Sequence, residues 1–195
     1  MSLDEIAEGA KSDRRTKWIG VYIGILAVLL AICTMGGDNV DKDAQRFNID
    51  ASNTWAFFQA KNIRRNSVRL AVDELDLMLK TNPAMEPQAR AAIQARIDDY
   101  RAQEKKLTSE PEKQEGLDEL FVKGKTLEAE RDKALAQDPY FDWGNALLQI
   151  AIVLASVSII SGSTLLLLGS GALGLAGAML MLNGFVMVVN VPGIG

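Results

Sequence analysis

Trp55, Phe57 and Phe58 stand close together in the polar segment "NTWAFFQAKNIRR", and Lys61, Arg64 and Arg65 follow directly. Aromatic faces beside guanidinium groups are what protein interfaces use as anchors, so this box is the first place to look for a partner or ligand. Trp55 and Phe58 are three apart, on one face of a helix, where they can also pack over a neighbouring helix. The packing reading is favoured, a partner contact through Trp55, Phe58 and Arg64 is second, and a small-molecule site is third.

Other chemistry is scarce. There is no histidine, and Cys33 is the single cysteine, so the chain offers no imidazole base, no internal disulfide and no Cys/His zinc cluster. Carboxylates are plentiful, but no pair sits in an apolar stretch that would raise one pKa for acid-base work. No glycine-rich phosphate loop and no serine nucleophile elbow occurs. The expectation is a non-enzymatic protein with no catalytic residue, no cofactor, no metal and no small-molecule substrate.

The elements that position the box follow from charge distribution. Every charged residue precedes Trp143, and the stretch from there to Gly195 has none. Trp18 to Met35 is also uncharged, and at about 1.5 Å per residue it reaches roughly 27 Å, close to a bilayer hydrocarbon core. The predicted architecture is an all-α membrane protein with three transmembrane helices and a long antiparallel helical hairpin, a coiled coil, inserted between the first and second. Residues 1–17 form an amphipathic N-terminal segment opened by a Ser2/Glu5 capping box, and residues 18–35 the first span. Residues 38–142 form the hairpin, residues 143–160 the second span and residues 164–190 the third. "SGST" is the favoured turn between the last two, with "GSG" at Gly169 to Gly171 as its rival. A cleaved signal peptide is disfavoured by the length of the first apolar run, and lipidation of Cys33 by bulky Ile32 before it.

Gly36 and Gly37 are expected to interrupt the helix, with Asp38 and Asp41 capping a new one. "TNPAMEP" divides the insert into two arms. Folding about Ala84 places Leu79 against Ala89, Leu75 against Ile93, Ala71 against Ile97 and Val68 against Tyr100. It also sets Arg69 against Asp98 or Asp99, Arg65 against Glu104, and Phe47 against Phe121. Pro111 and Gly116 break the second arm, and the register sets Trp55 and Phe58 against that gap. An arm of about 40 residues would extend roughly 60 Å. Lys61, Arg65 and Arg69 share one helical line, read as an ion-pair face rather than a nucleic-acid or headgroup site.

Lys11, Arg14, Arg15 and Lys17 precede the first span, whereas only Lys42 and Arg46 closely follow it. The positive-inside rule therefore puts the N-terminus in the cytoplasm and, after three spans, the hairpin and C-terminus outside, which in a Gram-negative cell is the ATP-free periplasm of the inner membrane. Gly20, Gly24, Ala27 and Ala31 form a small-residue stripe on the first span, and Ser170, Gly174 and Ala178 one on the third, both suited to close helix packing. Asn183 is read as an interhelical hydrogen-bond donor rather than an ion site.

"TWAFFQAK" at Thr54 to Lys61 and "LLQIAIVLAS" at Leu147 to Ser156, set in this order of span, hairpin and paired spans, resemble the bacterial family known as domain of unknown function 4337. The resemblance covers nearly the whole chain and supports the topology; it carries no activity, ligand or catalytic residue. The expected role is an inner-membrane scaffold or accessory subunit, in contact with lipid, that forms a homo-oligomer or joins a larger membrane complex and binds no nucleic acid. The alternative is an oligomeric channel lined by the glycine-rich third span.

Overall fold

The computed structural model describes the backbone of residues 3–191 and the side chains of residues 14–191. Ser2 and the side chains of Glu5 and Lys11, and with them the Ser2/Glu5 capping box, lie outside the described residues. Among the described residues there are four helices and no strand: α1 (Leu3–Thr81), α2 (Pro87–Thr108), α3 (Leu117–Ser161) and α4 (Thr164–Val186). Three of them, α1, α3 and α4, are long and apolar enough to cross a membrane. The chain divides into two compact units, Met1–Ala44 with Asp132–Gly195, and Gln45–Arg131.

The first unit unites the early part of α1, most of α3 and all of α4. Its core is Leu26, Cys33, Phe141, Leu148, Ala151 and Met181, with Tyr22, Leu29, Leu30 and Val40 packed against it. Gly36 and Gly37 do not interrupt α1, contrary to the expectation from sequence. A glycine weakens a helix by about 1 kcal/mol, and here tertiary packing overrides that preference. A Cβ at Gly36 would come within 2.5 Å of the Phe141 ring, so the glycine admits an aromatic side chain to the helix surface.

The link between α3 and α4 falls at Gly162 and Ser163, and Gly162 takes φ +68°, a conformation that side chains rarely adopt. Gly169 to Gly171 is helical. The Arg15 guanidinium donates to the Gly162 carbonyl at 3.0 Å and reaches Thr164 Oγ1 at 3.4 Å, so the start of the first apolar run lies beside this turn. Farther along, α4 stops at Val186 rather than running to Asn190, because Met187 turns left-handed at φ 50°. Asn183 then clamps the departing chain: its Nδ2 donates to the Val189 carbonyl at 2.7 Å, and the Val189 N–H donates back to Oδ1 at 3.0 Å. Asn183 therefore caps its own helix instead of bonding to another. Tyr140, buried on α3, holds the same segment by accepting from the Val191 N–H at 2.9 Å.

Asp138, outside the apolar run of α3, has its carboxyl held above the usual carboxylate range, first by burial and then by the charges of Asp41 and Asp142. A raised folded pKa means the fold favours the protonated acid, so ionised Asp138 opposes folding at neutral pH and the opposition fades as pH falls through that value. Asp138→Asn is expected to raise the melting temperature slightly at pH 7, with the gain shrinking on acidification; thermal scans across pH check this.

The second unit pairs the later part of α1 with α2 and with the start of α3. Ala51, Thr54, Val72, Ile97, Leu117 and Leu120 are buried in it, as are Gly116 and Gly124. The register differs from the one obtained by folding about Ala84. Arg69 bonds Glu104, not Asp98 or Asp99, while Asp99 pairs with Arg96 at 3.5 Å on its own helix. Arg65 donates to Asn62 at 2.8 Å instead of meeting Glu104. Arg101 reaches Asp76 at 3.3 Å, again farther along α2 than that folding implies. Arg69 is nearer the end of α1 than Glu104 is to the start of α2, so the link of residues 82–86 carries the chain past the end of α1 before Pro87 opens the return helix.

Candidate functional site

The segment around Trp55 is built by three elements of the second unit. α1 presents Trp55, Phe58 and Lys61 along one side; α2 ends at Thr108; and α3 restarts at Leu117. Between them residues 109–116 make a structured loop, because Pro111 and Gly116 cannot sustain a helix. Glu119 fastens this loop by accepting from Ser109 Oγ at 2.6 Å and from the Glu110 N–H at 3.1 Å. The Ser109 hydrogen bond is the main reason the Glu119 carboxyl lies below its ordinary pKa.

Trp55 does not face the gap. It packs edge-on to Phe58 at 5.5 Å and to Phe121 at 5.7 Å, and its indole lies against Gly124, where a Cβ would come within 2.8 Å of the ring. Phe121 is thus the partner of Trp55 and Phe58, not of Phe47: the pairing is already displaced along α2, and the non-helical loop, which consumes chain length, adds to the shift. The indole Nε1–H donates to Glu128 Oε1 at 2.9 Å, and Lys125 Nζ donates to Glu128 Oε2 at 2.8 Å. Glu128 lies below its ordinary pKa chiefly because of the Lys125 bond, with the Trp55 bond adding to it.

Lys61, one turn farther on, fills the gap instead. Its ammonium bonds the Glu115 carbonyl and stands 3.7 Å from Glu110 Oε2, and Glu110 also draws Lys106 and Lys113. The basic line read in the sequence is therefore divided among internal partners. Arg64 is exposed and borders an open cavity of ≈ 300 Å³ with Lys61, Gln103, Lys106 and Lys113. Of the three expected contact residues, Trp55 and Phe58 are drawn into the helix seam, whereas Arg64 faces outward.

The small-residue stripes do not meet either. Gly20, Gly24, Ala27 and Ala31 are exposed, and a Cβ at either glycine would touch nothing within 4 Å. Ser170 and Gly174 are buried and Ala178 is half-buried. Gly174 receives Leu26 and the Tyr22 hydroxyl, and Gly177 receives Leu148. Large side chains from α1 and α3 thus fill the glycine face of α4, which gives closer contact than two small stripes would. Ser170 was legible only as part of a stripe, but it links three helices: its hydroxyl donates to the Ala151 carbonyl at 2.6 Å and accepts from Tyr22 at 3.2 Å.

These features define an all-helical protein with three helices able to cross a membrane and a separate helical unit. The chain belongs to the family described as "Domain of unknown function (DUF4337)", whose family model matches residues 15–187. Neither the curated proteins nor the solved structures give a match.

Proposed function

We propose that this protein is a non-enzymatic inner-membrane scaffold or accessory subunit, anchored by three spans and displaying its helical hairpin in the periplasm, where it assembles with itself or with a larger membrane complex. The observation that carries this reading is the outward apolar surface of the first unit. Val21, Ile25, Val28, Ile150, Val153, Leu165, Leu168, Leu175 and Met179 are all exposed, while the Tyr22–Ser170 hydrogen bond lies between helices. Such an inverted arrangement needs lipid or further spans around it. Arg15 beside the α3–α4 turn supports placing that turn on the basic, cytoplasmic side. Gly174, Gly177 and Gly184 of α4 already receive side chains of their own chain, which weighs against a channel lined by that face.

The test is the intact mass of the particle extracted from its own membranes in mild detergent. A multiple of the 21.2 kDa chain, or added mass from another protein, is expected. A sole species at 21.2 kDa overturns the reading.

A further inference from the structure

The hairpin carries a second heptad line that its own packing leaves unused. On α1 the seam toward α2 and α3 runs through Ala51, Phe58, Arg65, Val72 and Leu79, and through Phe47, Thr54, Lys61, Val68 and Leu75. With the first set lettered a and the second d, the position directly opposite the seam is f, ordinarily the most polar of a coiled coil. Here the f residues are Ile49, Ala56, Ile63, Leu70 and Leu77. The four large ones are 59%, 66%, 64% and 61% exposed. An apolar residue at every seventh position of an exposed face is the pattern of a seam, not of a solvated surface.

We infer that a second copy of this chain packs in parallel along this line, f against f, from Ile49 to Leu70. The inference rests on the membrane reading above, because copies anchored by the same spans present equal residues at equal heights and at high local concentration. The neighbouring residues fit that partner. Asn53, Ala60 and Ser67 alternate with the f line at spacings of three and four, so large apolar residues and small ones interleave as in a two-stranded seam. Asn53 would meet its own counterpart, and one buried asparagine pair is a device that fixes register and favours two strands. The flanking positions bring Gln45 toward Asp50, Ser52 toward Phe57 and Gln59 toward Arg64 of the second copy, with no like charges opposed. Arg64 thereby becomes a rim contact. Glu74 limits the seam, since two copies in register would oppose their carboxylates there, and the helices part beyond Leu70.

The experiment is disulfide crosslinking of the full-length chain in its native membranes, with single cysteines at Ile63→Cys and Leu70→Cys. The unaltered chain is the blank, because Cys33 is buried, and Lys123→Cys, exposed on α3, controls for random collision. Dimers of twice 21.2 kDa are expected at Ile63 and Leu70, roughly tenfold above the Lys123 control. Leu77→Cys is expected to crosslink weakly unless combined with Glu74→Gln. Ile63→Asp with Leu70→Asp, at positions already in solvent, is expected to abolish the dimer while leaving the helix content of the folded chain unchanged. Equal crosslinking at all sites, or none at Ile63 and Leu70, overturns the seam. A particle heavier than 21.2 kDa in those same samples leaves the assembly reading standing without this interface, whereas a 21.2 kDa particle removes both.

Discussion

Gly36→Ala is expected to destabilise the first unit by about 1–3 kcal/mol, the usual cost of overpacking a filled core. The sign is informative, because the same change in an unencumbered helix interior stabilises by roughly 0.5–1 kcal/mol. An added methyl would lie 2.5 Å from Phe141 Cε1 and 2.8 Å from Phe185 Cζ. Phe141 cannot retreat, since a Cβ at Gly184 on its other side would already be 2.9 Å from the ring. Two glycines on different helices thus form a slot for one ring, which Phe185 closes edge-on at 4.9 Å. Thermal unfolding in detergent, followed by helix content, measures the loss, and Phe141→Leu in the Gly36→Ala background should recover part of it. Gly20→Ala and Gly24→Ala, where nothing is within 4 Å, are expected to be neutral or stabilising. If Gly36→Ala behaves as they do, the slot does not govern packing.

The same glycines mark the limit of what the sequence discloses. Apolar run lengths and charge gaps are local properties, so the three candidate spans, the weak helix at Pro111 and Gly116 and the turn residues at Gly162 and Ser163 can be read directly. Whether Gly36 breaks a helix or admits a ring depends on Phe141, distant in sequence, and propensity alone favours the wrong answer. Register is hidden for a related reason. An antiparallel pair can be matched at several offsets that each align apolar positions, and the choice between Arg69 with Asp99 and Arg69 with Glu104 depends on the path of the residue 82–86 link. The Trp55 box was legible as a packing surface, but its partners on α3 required knowing how much chain the loop of residues 109–116 consumes. The apolar f line was also visible at every seventh residue; only the observed seam identifies it as the opposite face.

Trp55→Ala is expected to cost the second unit about 3 kcal/mol, at the lower end of the range for a large aromatic because Trp55 is half-buried. The loss combines two aromatic edge contacts with an emptied space against Gly124. Trp55→Phe keeps a ring but removes the indole N–H, so it should lose less and should also flatten the pH response. With its folded pKa lowered, Glu128 contributes stability above the ordinary carboxylate pKa, and this contribution is lost as pH falls through the lowered value. Lys125, with the charge of Arg131, sustains a smaller version of that dependence in Trp55→Phe. Gly124→Ala offers an independent route to the same contact, since its methyl would come within 2.8 Å of Trp55 Cε2 and Cζ2. Trp55→Phe should partly rescue it, because Cζ2 belongs to the benzo part of the indole that phenylalanine lacks. Helix content on heating follows the stability, and crosslinking at Ile63 follows assembly in the same samples. A lowered melting temperature with crosslinking retained below it assigns Trp55 to the hairpin's own seam. Unchanged melting with assembly lost would instead return it to the role of a partner contact.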